Sequence, residues 1–240
     1  MARIARVERD LAVLMSRHES DKLPRDVDER FAVLARDARR FRRSMLTKGR
    51  LLTLWEAVQS VAELDGAAAE VGTYQGGSAR FIATAFEATL GHEVPLEVID
   101  TFEGHPQDRL SQYDSAMHMN PSLFTDTSYD DVVKYLSPWH LITVRKGDFS
   151  NVAPHLPEQS YRLVHVDTDL YEPTLDCLRY FGHRLVPGGV IVIDDYGSPS
   201  CPGVDRAVAE YLAAEPAFRR WGPRAKQLVI ERRANISVAA

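Results

Sequence analysis

The sequence predicts an α/β protein: a doubly wound, mainly parallel, seven-stranded sheet with helices on both faces and a helical N-terminal extension. Three observations predict it. Short runs rich in Val, Ile and Ala alternate with helix-length segments, the pattern of parallel strands buried on both faces. The clearest pair of runs is LVHV (163–166) and VIVI (190–193), with one helix's worth of residues between them, closed by Pro187-Gly188-Gly189. Both runs end in acids, Asp167 and Asp169 after the first, Asp194 and Asp195 after the second. In such sheets ligands sit beyond the carboxyl ends of the strands, so four carboxylates are delivered to one rim.

The elements follow in order. Residues 1–64 read as a helical extension or lid, and residues 65–240 as the sheet domain. Phe31, Leu34, Ala35, Ala38 and Phe41 recur at helical spacing with arginines on the opposite face. Leu51, Leu54, Trp55, Val58 and Val61 repeat the pattern in a second helix, which Asp65-Gly66 ends. Residues 67–71 form a strand of small residues, 72–77 a glycine-rich turn and 78–90 a helix. A second strand, 95–99, ends at Asp100. Residues 101–126 are a long polar stretch, and connections of that length tend to be lids or binding loops. A helix over 128–136 leads to a third strand, 141–145, which runs into Gly147-Asp148-Phe149. Strands at 161–166 and 190–193 come next, then a helix over 204–214 opened by Pro202-Gly203. Residues 218–221 and 226–231 pair as a closing hairpin around Gly222-Pro223.

Composition narrows the function classes. The chain has 240 residues, which allows one α/β domain with an appendage, and 45% hydrophobic residues, enough for a substantial core. A net charge of −5 gives no general field for nucleic acid. The arginines between Arg36 and Arg50 read as a solvated helix face, or as a contact for an acidic substrate. The two cysteines, Cys177 and Cys201, form no redox or metal motif and are expected as free thiols in a reducing cytosol. No apolar run reaches the roughly 18 residues of a membrane span, and the first residues lack a secretory pattern. The expectation is a soluble cytoplasmic protein, without a membrane or nucleic-acid partner. Asn235-Ile236-Ser237 matches a glycosylation pattern that matters only in a secreted chain.

The chemistry lies at the strand ends. Glycines after the first strand, in Glu70-Val71-Gly72-Thr73-Tyr74-Gln75-Gly76-Gly77-Ser78, let a ligand approach the backbone at a helix N-terminus, or simply make a tight turn. The spacing is not the dinucleotide fingerprint, which needs glycine at position 74. Asp100, ending the second strand, is placed to bond both hydroxyls of a ribose, and Asp148, ending the third, to accept from an adenine amino group. A single Asp is commonly a helix cap or a solvated turn. Asp167, Asp169, Asp194 and Asp195 together repel unless a cation or protons neutralise them, and oxygen donors suit Mg²⁺ or Mn²⁺ rather than Zn²⁺. His165 reads as a packed strand histidine, with ligand or base as the alternative. His105 and His118, on the long loop, either meet a substrate or are solvated.

EVGTYQGGS, VIDTFEG and HVDTDLYEPTLD…LVPGGVIVIDDYG, in a match running from about residue 44 to 221, resemble the macrocin O-methyltransferase (TylF-like) family. The resemblance implies a Rossmann-like class I methyltransferase that uses S-adenosylmethionine and a divalent metal to methylate a hydroxyl of a sugar, a sugar-bearing natural product or a phenol. It implies that Glu70, Gly72, Tyr74, Gly76 and Ser78 line the methionine and ribose side of the cofactor, and that Asp100 holds the ribose with Thr101 and Phe102 beside it. Asp148 and Phe149 would bracket the adenine. Met45, where the family has a Thr-Met pair, would close over the cofactor. Asp167, Asp194 and Asp195 would bind Mg²⁺ or Mn²⁺, and Asp169 would be the general base. It also implies a homodimer.

The residues agree with that mechanism. An ordinary Asp, with a pKa of about 3.9, is a poor base for an alcohol. A cation closes much of the gap, since ligation drops the pKa of water from 15.7 to about 7. A cation also fixes two adjacent hydroxyls, which favours a vicinal diol such as a sugar or catechol. Three other readings share features of the chain. An NAD-dependent dehydrogenase has the sheet and the ribose acid but neither the glycine spacing nor a use for four later acids. A metal-dependent phosphohydrolase explains the acids but not the adenosine-type constellation. A non-catalytic binding module would tolerate loss of Asp169.

Overall fold

A computed structural model describes residues 27–40, 43–222 and 224–234. Residues 1–26, Phe41, Pro223 and Asn235-Ile236-Ser237 lie outside the described residues.

The elements are α1 (Glu29–Arg40), α2 (Lys48–Ser60), β1 (Ala67–Val71), α3 (Gly77–Leu90), β2 (Leu96–Asp100), α4 (Tyr129–Leu136), β3 (Ile142–Lys146), α5 (Phe149–Val152), β4 (Tyr161–Val166), α6 (Tyr171–Gly182), β5 (Leu185–Ile193), α7 (Pro202–Ala214), β6 (Phe218–Arg220) and β7 (Leu228–Arg232). They build one seven-stranded sheet in the order β3-β2-β1-β4-β5-β7-β6. β1 to β5 are parallel, and β7 runs antiparallel between β5 and β6. The order reverses direction between β1 and β4, the switch point at which doubly wound sheets open a crevice.

Strand alternation sends side chains to two cores. Ala68, Leu163, Val190 and Val192 face α1, α2 and α3, where Phe31, Leu51, Leu54 and Phe86 are buried. Ala69, Val164, Ile191 and Ile193 face α6 and α7, where Leu178, Phe181, Val204 and Val208 are buried. Phe31 on α1 lies edge-on to Phe81 and tilted on Trp55, so the described part of the N-terminal extension shares its core with the sheet.

β5 is longer than the sequence suggests. Pro187-Gly188-Gly189 was expected to close the preceding helix, with the strand starting at residue 190, but the strand starts at Leu185 and the triplet lies inside it. The pairing jumps from Tyr161↔Leu185 to Leu163↔Val190, a bulge, which is where a strand tolerates proline. The closing pair β6–β7 forms as predicted.

The long loop carries two 3₁₀ turns, Gln107–Arg109 and Ala116–Met119. It is tied down by side chains rather than by a strand ladder. Asp114 accepts from the Tyr171 backbone N–H at the start of α6 (2.8 Å) and from Ser111. Arg109 pairs with Asp176 and Glu172 of the same helix. Gln75 donates to the Asp126 carbonyl and Thr127 to that of Tyr74.

Candidate active site

The carboxyl ends of β1, β2, β4 and β5 meet at one cleft. Two left-handed residues turn the chain at its floor, Gly72 (φ 87°) after β1 and Tyr74 (φ 54°) beyond it. The Tyr74 N–H donates to Asp100 Oδ2 and the Phe102 N–H to Asp100 Oδ1, both at 2.7 Å. Asp100 is thus fixed in orientation, and burial pushes its pKa up against those backbone donors. Non-glycine residues in the left-handed region cluster at this rim: Tyr74, Phe102, Asp169 and Asp195. Such strain concentrates where function over-determines the backbone.

Of the residues the sequence singles out, Met45, Gly72, Tyr74, Ser78, Asp100, Thr101, Asp148, Phe149, Asp167, Asp169 and Asp195 line the cleft. Glu70, Gly76, Phe102 and Asp194 stand behind its wall. The Phe102 ring is buried against Tyr129, and its backbone N–H serves Asp100. Gly76 starts α3 in the left-handed conformation. Glu70 and His165, facing residues of β1 and β4, are both fully buried, with His165 Nδ1 2.8 Å from Glu70 Oε1. His165 is therefore a buried strand histidine engaged with Glu70 through Nδ1, while its Nε2 is left without a partner. Asp148 caps α5 by accepting from the Ser150 N–H at 3.0 Å, so one of its oxygens is already engaged.

The four acids stand together. The Asp167 N–H bonds the Val71 carbonyl, and that of Asp194 the Val166 carbonyl, which carries each acid just past its strand. Burial first, then the charges of Asp194, Asp169 and Asp195, push Asp167 well above the carboxylate range. Burial and the same repulsion raise Asp195 to about 7, against the pull of Arg50. Asp169 goes the other way. Burial pushes it up, but the hydrogen bond and charge of His105 outweigh this and hold it at about 2.

Several partners of the acids were not legible in the sequence. Arg50, grouped there with a solvated face, pairs through one nitrogen with Asp194 Oδ2 and through the other with Asp195 Oδ1 (2.6 Å). Burial works against its charge, but the two aspartates raise its pKa further above its ordinary value. His105 and His118 are buried rather than solvated, because the loop folds down on the rim. His105 Nε2 lies 3.0 Å from Asp169 Oδ2, and Cys201 Sγ 3.4 Å from Asp169 Oδ1.

Orphaned polar atoms point to absent ligands. Thr73 Oγ1, in the cleft wall, and Asp194 Oδ1 are buried without a hydrogen-bond partner, a state that native folds rarely leave unexplained. Carboxylates of Asp167 and Asp194 converge with a His165 ring nitrogen within 4.8 Å of one another, as do those of Asp169 and Asp195 with Cys201. The carboxylates of Asp167, Asp194 and Asp195, with Asp194 Oδ1 orphaned and Arg50 on one oxygen each of Asp194 and Asp195, are the oxygen donors that would suit a hard divalent cation. Among the described residues no helix is long and apolar enough to cross a membrane.

The comparisons with known proteins agree with this architecture. Mycinamicin III 3''-O-methyltransferase of Micromonospora griseorubida is 30% identical over 188 residues, covering 70% of this chain and 69% of the relative. The 8-demethyl-8-(2,3-dimethoxy-alpha-L-rhamnosyl)-tetracenomycin-C 4'-O-methyltransferase of Streptomyces olivaceus is 28% identical, covering 73% of this chain and 70% of its own length. The O-methyltransferase NovP superposes with a TM-score of 0.67 at 24% identity, over 80% of this chain and 83% of NovP, which establishes the shared fold. The sequence model of the macrocin O-methyltransferase (TylF) family matches residues 4–217, and the chain belongs to that family.

Proposed function

We propose that this chain transfers a methyl group from S-adenosylmethionine to a hydroxyl of a sugar carried by a natural product, with Mg²⁺ or Mn²⁺ held by Asp167, Asp194 and Asp195. The observation that carries the reading is the convergence of four acids from β4 and β5 on the rim that also presents Asp100. One of the family relatives is named for methylation of a rhamnosyl-bearing product, which favours a glycoside over a free catechol. S-adenosylmethionine supplies an electrophilic sulfonium methyl, and a divalent cation supplies Lewis acidity that makes an acceptor hydroxyl easier to deprotonate.

The chain's own residues do the rest. Asp100, oriented by two backbone N–H groups, accepts from ribose hydroxyls. Met45, more than half exposed at the cleft edge, covers the cofactor. Thr73 Oγ1 offers an unused donor and acceptor. Asp169 takes the proton of the acceptor hydroxyl as general base. The hydrogen bond and charge of His105 hold Asp169 low, and a cation at the neighbouring carboxylates would make the acceptor hydroxyl easier for it to deprotonate. A homodimer in the cytoplasm completes the reading.

The test is transfer of a labelled methyl group from S-adenosylmethionine to a panel of sugars, glycosides and catechols, with Mg²⁺ or with chelator. Transfer to a glycoside with adjacent hydroxyls, lost in chelator, is the expected result. Transfer indifferent to chelator would remove the metal from the reading, and tight binding of NAD in place of S-adenosylhomocysteine would remove the reaction.

A further inference from the structure

On its loop side Asp169, the proposed base, joins a polar cluster whose other members, His105, His118 and Cys201, are given no part in methyl transfer. His105 and His118 come from the long loop, Asp169 follows β4, and Cys201 precedes α7. Their side chains are nearly closed off from solvent: His105 is 8% and Asp169 13% exposed, and His118 and Cys201 are buried residues. The two rings meet edge to face at 4.8 Å. Nδ1 of both histidines is buried without a partner, so the cluster is not a closed structural hydrogen-bond network.

We propose that His105, His118, Asp169 and Cys201 form a second cation site, of the kind that takes Zn²⁺, and that a cation held there silences the enzyme by capturing Asp169. The silencing rests on Asp169 being the base; the site does not.

Donor chemistry separates this site from its neighbour. Two imidazoles, a thiolate and a carboxylate are a zinc donor set, whereas Asp167, Asp194 and Asp195 offer oxygen alone, which suits Mg²⁺. Donors of His105, His118 and Asp169 lie close enough together for a single ion, and Cys201 stands beside Asp169 and His118. Bonds of about 2.0–2.3 Å in a tetrahedron put neighbouring donors roughly 3.3–3.8 Å apart. His105 Nε2 stands 3.0 Å from Asp169 Oδ2, and Cys201 Sγ stands 3.4 Å from Asp169 Oδ1 and 4.0 Å from His118 Nε2. Ligating atoms of His105, His118 and Asp169 lie within 4.8 Å of one another. Access is from the cleft, which His105 and Asp169 both line. Burial keeps the Cys201 thiol protonated in the metal-free fold. Ligation replaces its S–H bond with a sulfur–metal bond and releases the proton to water, with no change of oxidation state.

Co²⁺ is the probe, added to chelator-treated full-length protein with Mg²⁺ present in excess. One equivalent should give a sulfur-to-cobalt charge-transfer band in the near ultraviolet. The band should persist in Cys177→Ala, vanish in Cys201→Ser, and need about tenfold or more Co²⁺ in His118→Gln. Near-ultraviolet circular dichroism and S-adenosylhomocysteine binding check that each variant is folded. Absence of the band in the wild type, or its survival in Cys201→Ser, overturns the site. Zn²⁺ titrated into a methyl-transfer assay then reads the silencing. Inhibition is expected near one equivalent in the wild type and at about tenfold or more Zn²⁺ in Cys201→Ser, each relative to its own zinc-free rate. A Co²⁺ band without inhibition by Zn²⁺ keeps the site and overturns the silencing, while the Asp169→Asn turnover decides the base separately.

Discussion

Gly72 and Asp167 touch main chain to main chain: a Cβ on Gly72 would stand 1.9 Å from the Asp167 carbonyl oxygen. The glycine turn after β1 and the first acid after β4 are one construction, so a side chain at 72 must push the acid away from the rim. Gly72 also has a φ of 87°, which costs a non-glycine residue roughly 1–3 kcal/mol. Gly72→Ala is expected to lower the melting temperature by roughly 5 °C or more and to weaken S-adenosylhomocysteine binding by calorimetry. Unchanged values of both would mean that the two segments move independently.

Asp169→Asn keeps the shape of the rim and removes the proton acceptor. Turnover should fall by about 10²–10⁴-fold, with S-adenosylhomocysteine affinity within a few-fold of the wild type. A variant that keeps near-normal kcat would falsify the base assignment.

Arg50 is the counter-charge of Asp194 and Asp195 when no cation is bound. Removing one partner of a buried ion pair strands the other, at a cost approaching about 3 kcal/mol. Arg50→Gln should therefore melt well below the wild type in chelator, and Mg²⁺ should recover more of the melting temperature in the variant than in the wild type. Equal recovery in both proteins would argue that cation and arginine serve different groups.

Phe31→Ala asks whether the N-terminal extension is structurally separate from the sheet domain. Phe31 is fully buried between Trp55 and Phe81, and losing such a ring costs about 3–5 kcal/mol. If the extension and the sheet share one core, urea unfolding stays a single transition at a lower midpoint. A new early transition that leaves the sheet intact would instead mark the extension as a separate unit.

Much of this was legible locally. The apolar runs, the glycine turn and the acid pairs are short-range signals, and they place Asp100, Asp167, Asp169 and Asp195 on one rim because parallel strands deliver their ends to one side. Arg50 was not legible: its partners are 144 and 145 residues away, and an arginine among arginines carries no mark of which one turns inward. His105, His118 and Cys201 read as loop residues because their burial is decided by how the loop docks, through Asp114, Arg109 and Gln75. The start of β5 was misplaced because Pro-Gly-Gly punctuates a helix end and a strand bulge in the same way.

The loop over the rim has few of its own backbone pairings to lose. Its hold on the body comes from separate pegs, Asp114 at the head of α6, Arg109 on the same helix, and residues 126–127 beside the first turn. The stretches between the pegs can change length and composition without disturbing the sheet's folding. The loop and the sheet are thus separate constructions joined at a few points, and grafting this loop between relatives would show how much of the rim's behaviour it carries.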